Sequence, residues 1–340
     1  MKIENKKLLL SMALIGGGLS VSGCSSHRHI DVAQDFSWQQ IAAQGEPTAR
    51  HEAAVIAYND KVYLIGGRRI NPTDVYDPAT NRWQEKSKPP LEIHHFQPVV
   101  WGDAIYIVGA MTGDWPNEKP LEKVVIYYPE RDLFEYGAEI PEARRRGGAG
   151  TVVYNNKIYW LGGITDGHME GARAWLDEFD PGTGQWRILD DAPHARDHFQ
   201  ADIIRGRLYG VGGRTTSHKT QQGIDLTVAA VDVFDFSSER WLPSDQLPPL
   251  PTVRAGSATV AIGDNLLVVG GESLLQQLAH SDVEVFNSQL KQWERWPDLI
   301  QGRHGSGLAV IHNTIYMASG CGERGGSPEL TTIERLVLPE

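Results

Sequence analysis

Continuous apolar runs recur along the chain at 62–65, 105–108, 158–161, 266–269 and 315–317. Each is too short for a helix and suits a strand buried on both faces. Ahead of each run stands a turn pair: Asn59-Asp60, Gly102-Asp103, Asn155-Asn156, Gly263-Asp264 and His312-Asn313, with Arg205-Gly206 in the equivalent place before 208–211. Most of these residues accept positive φ, as a two-residue hairpin requires. Behind each run comes a marker pair: Gly66-Gly67, Gly109-Ala110, Gly162-Gly163, Gly212-Gly213, Gly270-Gly271 and Ser319-Gly320. After the first five markers another strand runs into a turn, as in Val75-Tyr76-Asp77-Pro78 and Glu178-Phe179-Asp180-Pro181. An aromatic follows at Trp83, Phe134, Trp186, Trp241 or Trp293. Each repeat therefore predicts four strands.

The markers lie 43, 53, 50, 58 and 49 residues apart, and periods of that length imply a propeller or a solenoid. The sixth repeat lacks its aromatic, because only one further strand, near Ile333 to Leu338, follows its marker. The missing strand is supplied by Phe36-Ser37-Trp38, which precedes the first hairpin and has no marker of its own. Joining the two ends in one sheet hides an exposed strand edge, which favours a closed ring. The expectation is an all-β, six-bladed β-propeller over residues 36–340, with the N-terminal strand completing blade 6. The glycine pairs, the Tyr-Asp-Pro type of turn and the tryptophan column at this spacing resemble kelch repeats over about residues 36–338. That resemblance speaks to fold far more than to function.

The first residues read differently. Lys2, Lys6 and Lys7 precede an apolar stretch from Leu8 to Leu19, followed by Val21-Ser22-Gly23-Cys24. This is the form of an export signal over residues 1–23, too short for a membrane span. Its end resembles the lipobox of bacterial lipoproteins, which implies lipid on Cys24, a polar tether over 24–35 and a cell-envelope location. Ser25, in place of Asp, points to the outer membrane. Lipidation of Cys24 leaves Cys321 without a partner for a disulfide within the chain. The formal charge of −11 becomes more negative without the leader and argues against a nucleic-acid partner.

In a propeller the first strand of each blade lies nearest the axis, so one repeat offset marks a ring around the channel. Sixteen residues before the markers stand Arg50, Ile93, Arg146, Arg196, Arg254 and Arg303. The next offset holds His51, His94, Gly147, Asp197, Ala255 and His304, and the one after holds Glu52, His95, Gly148, His198, Gly256 and Gly305. Two blades share a longer string, His95-Phe96-Gln97 and His198-Phe199-Gln200. The arginines suit either scaffold bonds to backbone carbonyls or an anionic ligand. Histidine where other blades carry Gly points to a site. Loops after the markers border the same mouth, with Arg68-Arg69, Thr112 to Trp115, Asp166-Gly167-His168, Arg214, Glu272 and Glu323-Arg324.

Two readings follow. The first is a carbohydrate-handling protein that binds or isomerises a sugar, with an anionic sugar suggested by the arginines. The architecture resembles the bacterial sialate mutarotases, which are exported kelch propellers. In such chemistry Glu52, His95, His198 or Glu272 would move a proton. Arg50, Arg146, Arg196, Arg214, Arg254 and Arg303 would hold an anion, with His51, His94 and His304 beside them and Trp115 offering its indole face to a sugar ring. The alternative is a kelch scaffold that uses one face to hold a protein or an envelope polymer. No cofactor or metal is assigned. A plain metal site from His51, His94 and His304 is a lesser option. The copper chemistry of galactose oxidase, another kelch-repeat family, finds no matching tyrosine, histidine and cysteine set. Phosphate-binding Gly-Lys loops, metalloprotease His-Glu pairs and nucleophile elbows are missing, and Gly147-Gly148-Ala149-Gly150 reads as close strand packing.

Overall fold

The computed structural model describes residues 36–339. The expected leader over 1–23, Cys24 and the expected tether lie outside the described residues. Six four-stranded antiparallel sheets follow one another along the chain. Blade 1 is made of Ala53–Tyr58, Lys61–Gly66, Thr73–Asp77 and Arg82–Lys86. The anticipated hairpin turns are present: Asn59, Asp60, Asn155, Asn156, Arg205, Gly206 and His312 all have positive φ. Two smaller two-stranded sheets, Met111–Thr112 with Lys119–Pro120 and Ile164–Asp166 with Glu170–Ala172, grow from the loops after the second and third markers.

The ring closes as the repeat pattern requires. Trp38–Gln40 pairs antiparallel with Ile333–Val337, placing Trp38 opposite Leu336, and the Ile41 N–H donates to Ile333 O at 2.9 Å. Trp38 is buried in the interface between blades 5 and 6. Among the described residues there are six core clusters, one for each pair of neighbouring blades, and the cluster joining blade 6 to blade 1 packs Tyr316 and Ala309 on Val55 and Trp83. The outer tryptophans also tie blades together. Trp186, Trp241 and Trp293 donate Nε1–H to Glu139 O, Asp190 O and Pro248 O of the preceding blade's outgoing chain.

The marker glycines are where backbones meet. At Gly270, φ is +65° and a Cβ would stand 2.3 Å from Arg303 O of the next blade, a distance no side chain tolerates.

The arginine column is part of this scaffold. Arg50, Arg146, Arg196, Arg254 and Arg303 are at most 1 % exposed. Each donates to the carbonyl of its own marker residue: Gly66, Gly162, Gly212, Gly270 or Ser319. Each also pairs with an acid on the third strand of its blade: Asp74, Asp177, Asp232, Glu284 or Glu334. Burial draws the guanidinium groups of Arg50 and Arg146 down to about 10, still charged near neutrality. Blade 2 replaces both partners together. Ile93 takes the arginine position, and Val125, opposite Ile107 in the ladder, takes the position of the acid, and both are fully buried. Exchanging a buried ion pair for an apolar pair conserves packing without leaving a charge alone. The expectation that these five arginines hold a ligand is therefore corrected: each guanidinium is bonded to its own marker carbonyl and its own acid inside the blade, and none lines the cavity described below.

Candidate functional site

Two residues after the arginine column the chain crosses the channel. Glu52, His95, Gly148, His198, Gly256 and Gly305 all have φ between 52° and 63°. Their backbones form a nearly continuous annulus. His95 N–H donates to Glu52 O, Gly148 to His95, His198 to Gly148, Gly256 to His198 and Gly305 to Gly256, and Ala53 N–H to Gly305 O completes the circle. Glycine is the natural occupant of such a left-handed ring, and a larger residue there is held under backbone strain. Glu52, His95 and His198 accept that strain and bring acid and imidazole to the axis. Below them Gln97 and Gln200 link blades across the channel. Gln97 Nε2–H donates to Ala201 O and its Oε1 accepts from Thr151 and Ala201 N–H, while Gln200 reaches Thr259 N–H and Ser306 O. The repeated His-Phe-Gln string thus closes the throat.

Above the ring opens a cavity of about 790 Å³. His51, Glu52, His95, Arg214, Glu272 and His304 are brought together on its walls and floor. Trp115 stands on the rim, 58 % exposed, with its ring edge-on to His218. Residues 223–225 of the long loop after the fourth marker border the opposite side. His94 is placed elsewhere: it is fully buried behind His95, with its Nδ1 against His95 Nδ1 and its Nε2–H donating to Gly113 O. The grouping of His51, His94 and His304 does not form. His51 Nδ1 is 2.7 Å from Glu329 Oε1, and His304 Nε2–H donates to Glu323 O and Gly325 O, each at 2.9 Å.

The charges in the cavity are mostly paired. Arg214 donates Nη1–H to Glu272 Oε1 at 2.5 Å and Nε–H to Thr216 Oγ1, while Gly325 N–H reaches Glu272 Oε2. Burial would raise the Glu272 carboxyl, but His304 and Arg214 outweigh it and hold it well below the usual range. Arg68 donates to Glu118, whose carboxylate burial likewise opposes and His168 with Arg68 stabilises. Glu52 differs, since no hydrogen bond holds its carboxylate. His95 Nε2 lies 3.3 Å from one oxygen and His304 Nδ1 3.9 Å from the other. Burial again works against the charge, while His198, His304 and His51 keep the carboxyl below its ordinary value. Both facing imidazole nitrogens are buried without a hydrogen-bond partner.

Sequence reasoning placed His168 on a mouth loop without a role, and gave none to Glu118, Asp197 or Thr216. His168 extends from the small third-blade hairpin into the cavity floor beside His95 and His198. Its insertion falls outside the shared repeat offsets, so no column reveals it.

The family description "Attractin/LZTR1 beta-propeller" matches residues 13–273, and "Kelch motif" matches 254–299. The chain belongs to the Attractin/LZTR1 β-propeller family. Kelch-like protein terF of Aspergillus terreus is 25 % identical over 331 residues, spanning 92 % of this chain and 70 % of that protein. Kelch-like protein 40 of Xenopus tropicalis is 24 % identical over 57 % of this chain, which spans 31 % of that protein. Among solved structures, that of YjhT aligns with a TM-score of 0.71 at 17 % identity, covering 85 % of this chain and 95 % of that one. These likenesses fix the kelch fold.

Proposed function

We propose that the cavity binds a small carbohydrate and that Glu52 is the group that exchanges a proton with it. The observation that carries this reading is the two-sided lining. Glu52, Glu272, Arg214 and His304 offer donors and acceptors on the floor, while Trp115, Ile224 and Leu274 offer apolar faces above. A sugar presents the same division between hydroxyl edges and C–H faces, and a volume of this size suits a ligand of that class. The resemblance to exported sialate mutarotases supports the class of ligand. Both cavity arginines are already bonded to glutamates, so a neutral sugar fits the charge balance better than a sugar acid. Glu52 is ionised, unbonded and strained toward the axis, which suits a group that accepts a hydroxyl proton.

Calorimetry with a panel of neutral sugars and sugar acids tests the reading. Heat is expected with at least one neutral sugar, and the affinity should weaken by up to about tenfold in Trp115→Ala as an aromatic contact is lost. Glu52→Gln should bind but lose any catalysed exchange of anomers. No heat with either class of sugar would remove the proposal.

A further inference from the structure

Three imidazoles meet at the base of the cavity, on the axis. The ring centroids of His95, His168 and His198 lie 4.7, 4.8 and 5.0 Å apart, mutually inclined by 63° to 78°, an almost equilateral arrangement. One ring nitrogen from each lies within 4.8 Å of the other two, and His198 Nε2 is 3.1 Å from His168 Nε2. Tetrahedral zinc with three imidazole ligands sets those nitrogens about 3.3 Å apart, from metal–nitrogen bonds of about 2.0–2.1 Å.

The hydrogen bonds behind the rings decide which nitrogens carry protons. Asp197 accepts from Thr216 N–H and Oγ1–H, so it faces His198 as a carboxylate and takes the proton of Nδ1–H. Glu118 accepts from Arg68 and from the His168 backbone N–H, and its Oε1 lies 2.8 Å from His168 Nδ1. His94 must donate Nε2–H to the Gly113 carbonyl, so its Nδ1 is a lone pair that accepts the proton of His95 Nδ1–H. The Nδ1 atoms of His95 and His198 are therefore donors, and their Nε2 atoms present lone pairs to a small space that His168 Nε2 also faces, while His168 Nδ1 is buried against Glu118 Oε1 without completing a hydrogen bond. His198 Nε2 and His168 Nε2 face each other at 3.1 Å, and His95 Nε2 is buried with no hydrogen-bond partner at all. Metal-binding histidines are oriented in this same way, by a carboxylate or other acceptor on the far nitrogen. Glu52 Oε2 lies 3.3 Å from His95 Nε2, on the cavity side.

We propose that His95, His168 and His198 bind one divalent first-row transition-metal ion through one ring nitrogen each, with the fourth position open toward the cavity. Three imidazoles suit zinc and its neighbours in the series. The metal would sit on the propeller axis, beneath any ligand in the cavity, and its existence does not depend on that ligand being a sugar.

The full chain, stripped with a chelator and titrated with zinc against a competing indicator, should take up one equivalent, confirmed by elemental analysis after desalting. Cobalt in its place should give the visible absorption of a tetrahedral ion. His168→Asn sits on a surface hairpin rather than in the annulus, so it should fold, as circular dichroism would check, and lose stoichiometric zinc. Asp197→Asn should weaken zinc about 10–100-fold. Zinc should raise the melting temperature of the wild type and leave that of His168→Asn unchanged. Substoichiometric zinc in the folded wild type, or a full equivalent retained by His168→Asn, would overturn the assignment.

Discussion

Arg254 and Gly256 are two residues apart in blade 5, and the same two positions in blade 4 hold Arg196 and His198. At the first position a charged side chain is buried with its partners. Arg254 donates to Gly270 O, Val268 O and Thr252 O and pairs with Glu284 at 2.5 Å. At the second position blades either carry glycine or force a polar side chain into a strained backbone, where it points at the axis, with His95 Nε2 left unpaired and the Glu52 carboxylate without a hydrogen bond. Both positions are polar and both are enclosed. Satisfaction separates them: a buried polar group whose bonds are complete holds the blade together, and one whose bonds are incomplete is available to a ligand.

The strongest way to break this contrast is at Arg254. Arg254→Met leaves Glu284 buried without its cation and should cost about 3–5 kcal/mol, read from urea unfolding. The double variant Arg254→Met with Glu284→Met copies the apolar pair that Ile93 and Val125 form in blade 2. It should return most of that loss, because no charge is then left alone. A single variant costing under about 1 kcal/mol would show that the column is not the scaffold described above.

This contrast also marks how far the sequence could be read. Strand order, six repeats and closure by Trp38 were legible because each rests on residues with one physical use, such as glycine at a backbone crossing or asparagine in a tight hairpin turn. The left-handed ring was legible as a column, since histidine and glutamate replacing glycine stand out in a repeat. The arginine column was visible but ambiguous, because its acid partners are contributed by a different strand at a spacing that varies with loop length, from Asp74 to Asp232. His168 and Glu118 were hidden for the same reason: both are carried on inserted hairpins outside the shared offsets, and only the fold brings His168 beside His95 and His198 with Glu118 against it.

Asp202 sharpens the contrast, because it is an acid enclosed without a cation. It lies toward the other end of the inner strands, in an opening of about 250 Å³ lined largely by residues such as Val55, Val99, Val152 and Val260. Its oxygens accept only the N–H groups of Ile203 and Ala261, each at 2.7 Å. Burial pushes its carboxyl up to about 6, against the opposing pull of those two bonds. The folded chain therefore holds this proton to higher pH than the unfolded chain, whose value is about 3.9. Its contribution to stability is complete below about pH 4 and is lost as pH rises through about 6, by roughly 2 kcal/mol once partial solvent access is allowed for. Asp202→Asn should remove that slope from a stability profile between those two pH values. Parallel profiles for wild type and variant would show that the group is not perturbed.

The smallest effect on stability is expected where the effect on the site is greatest. Glu52 has a φ of 53°, and its carboxylate makes no hydrogen bond, so the fold gains little from its side chain. Strain of about 1–3 kcal/mol at such a residue is relieved by glycine, while the greater freedom of glycine in the unfolded chain offsets about 1 kcal/mol of that gain. Glu52→Gly should therefore leave the urea midpoint unchanged or slightly raised, and should abolish the calorimetric response to sugar. The reverse exchange is the control. Gly148→Ala, at a φ of 63° with a Cβ 3.3 Å from the His198 backbone nitrogen, should cost about 1–2 kcal/mol. If Glu52→Gly instead destabilised the propeller as much as Arg254→Met, the left-handed ring would belong to the scaffold, and the strain at Glu52, His95 and His198 would need an account other than a site.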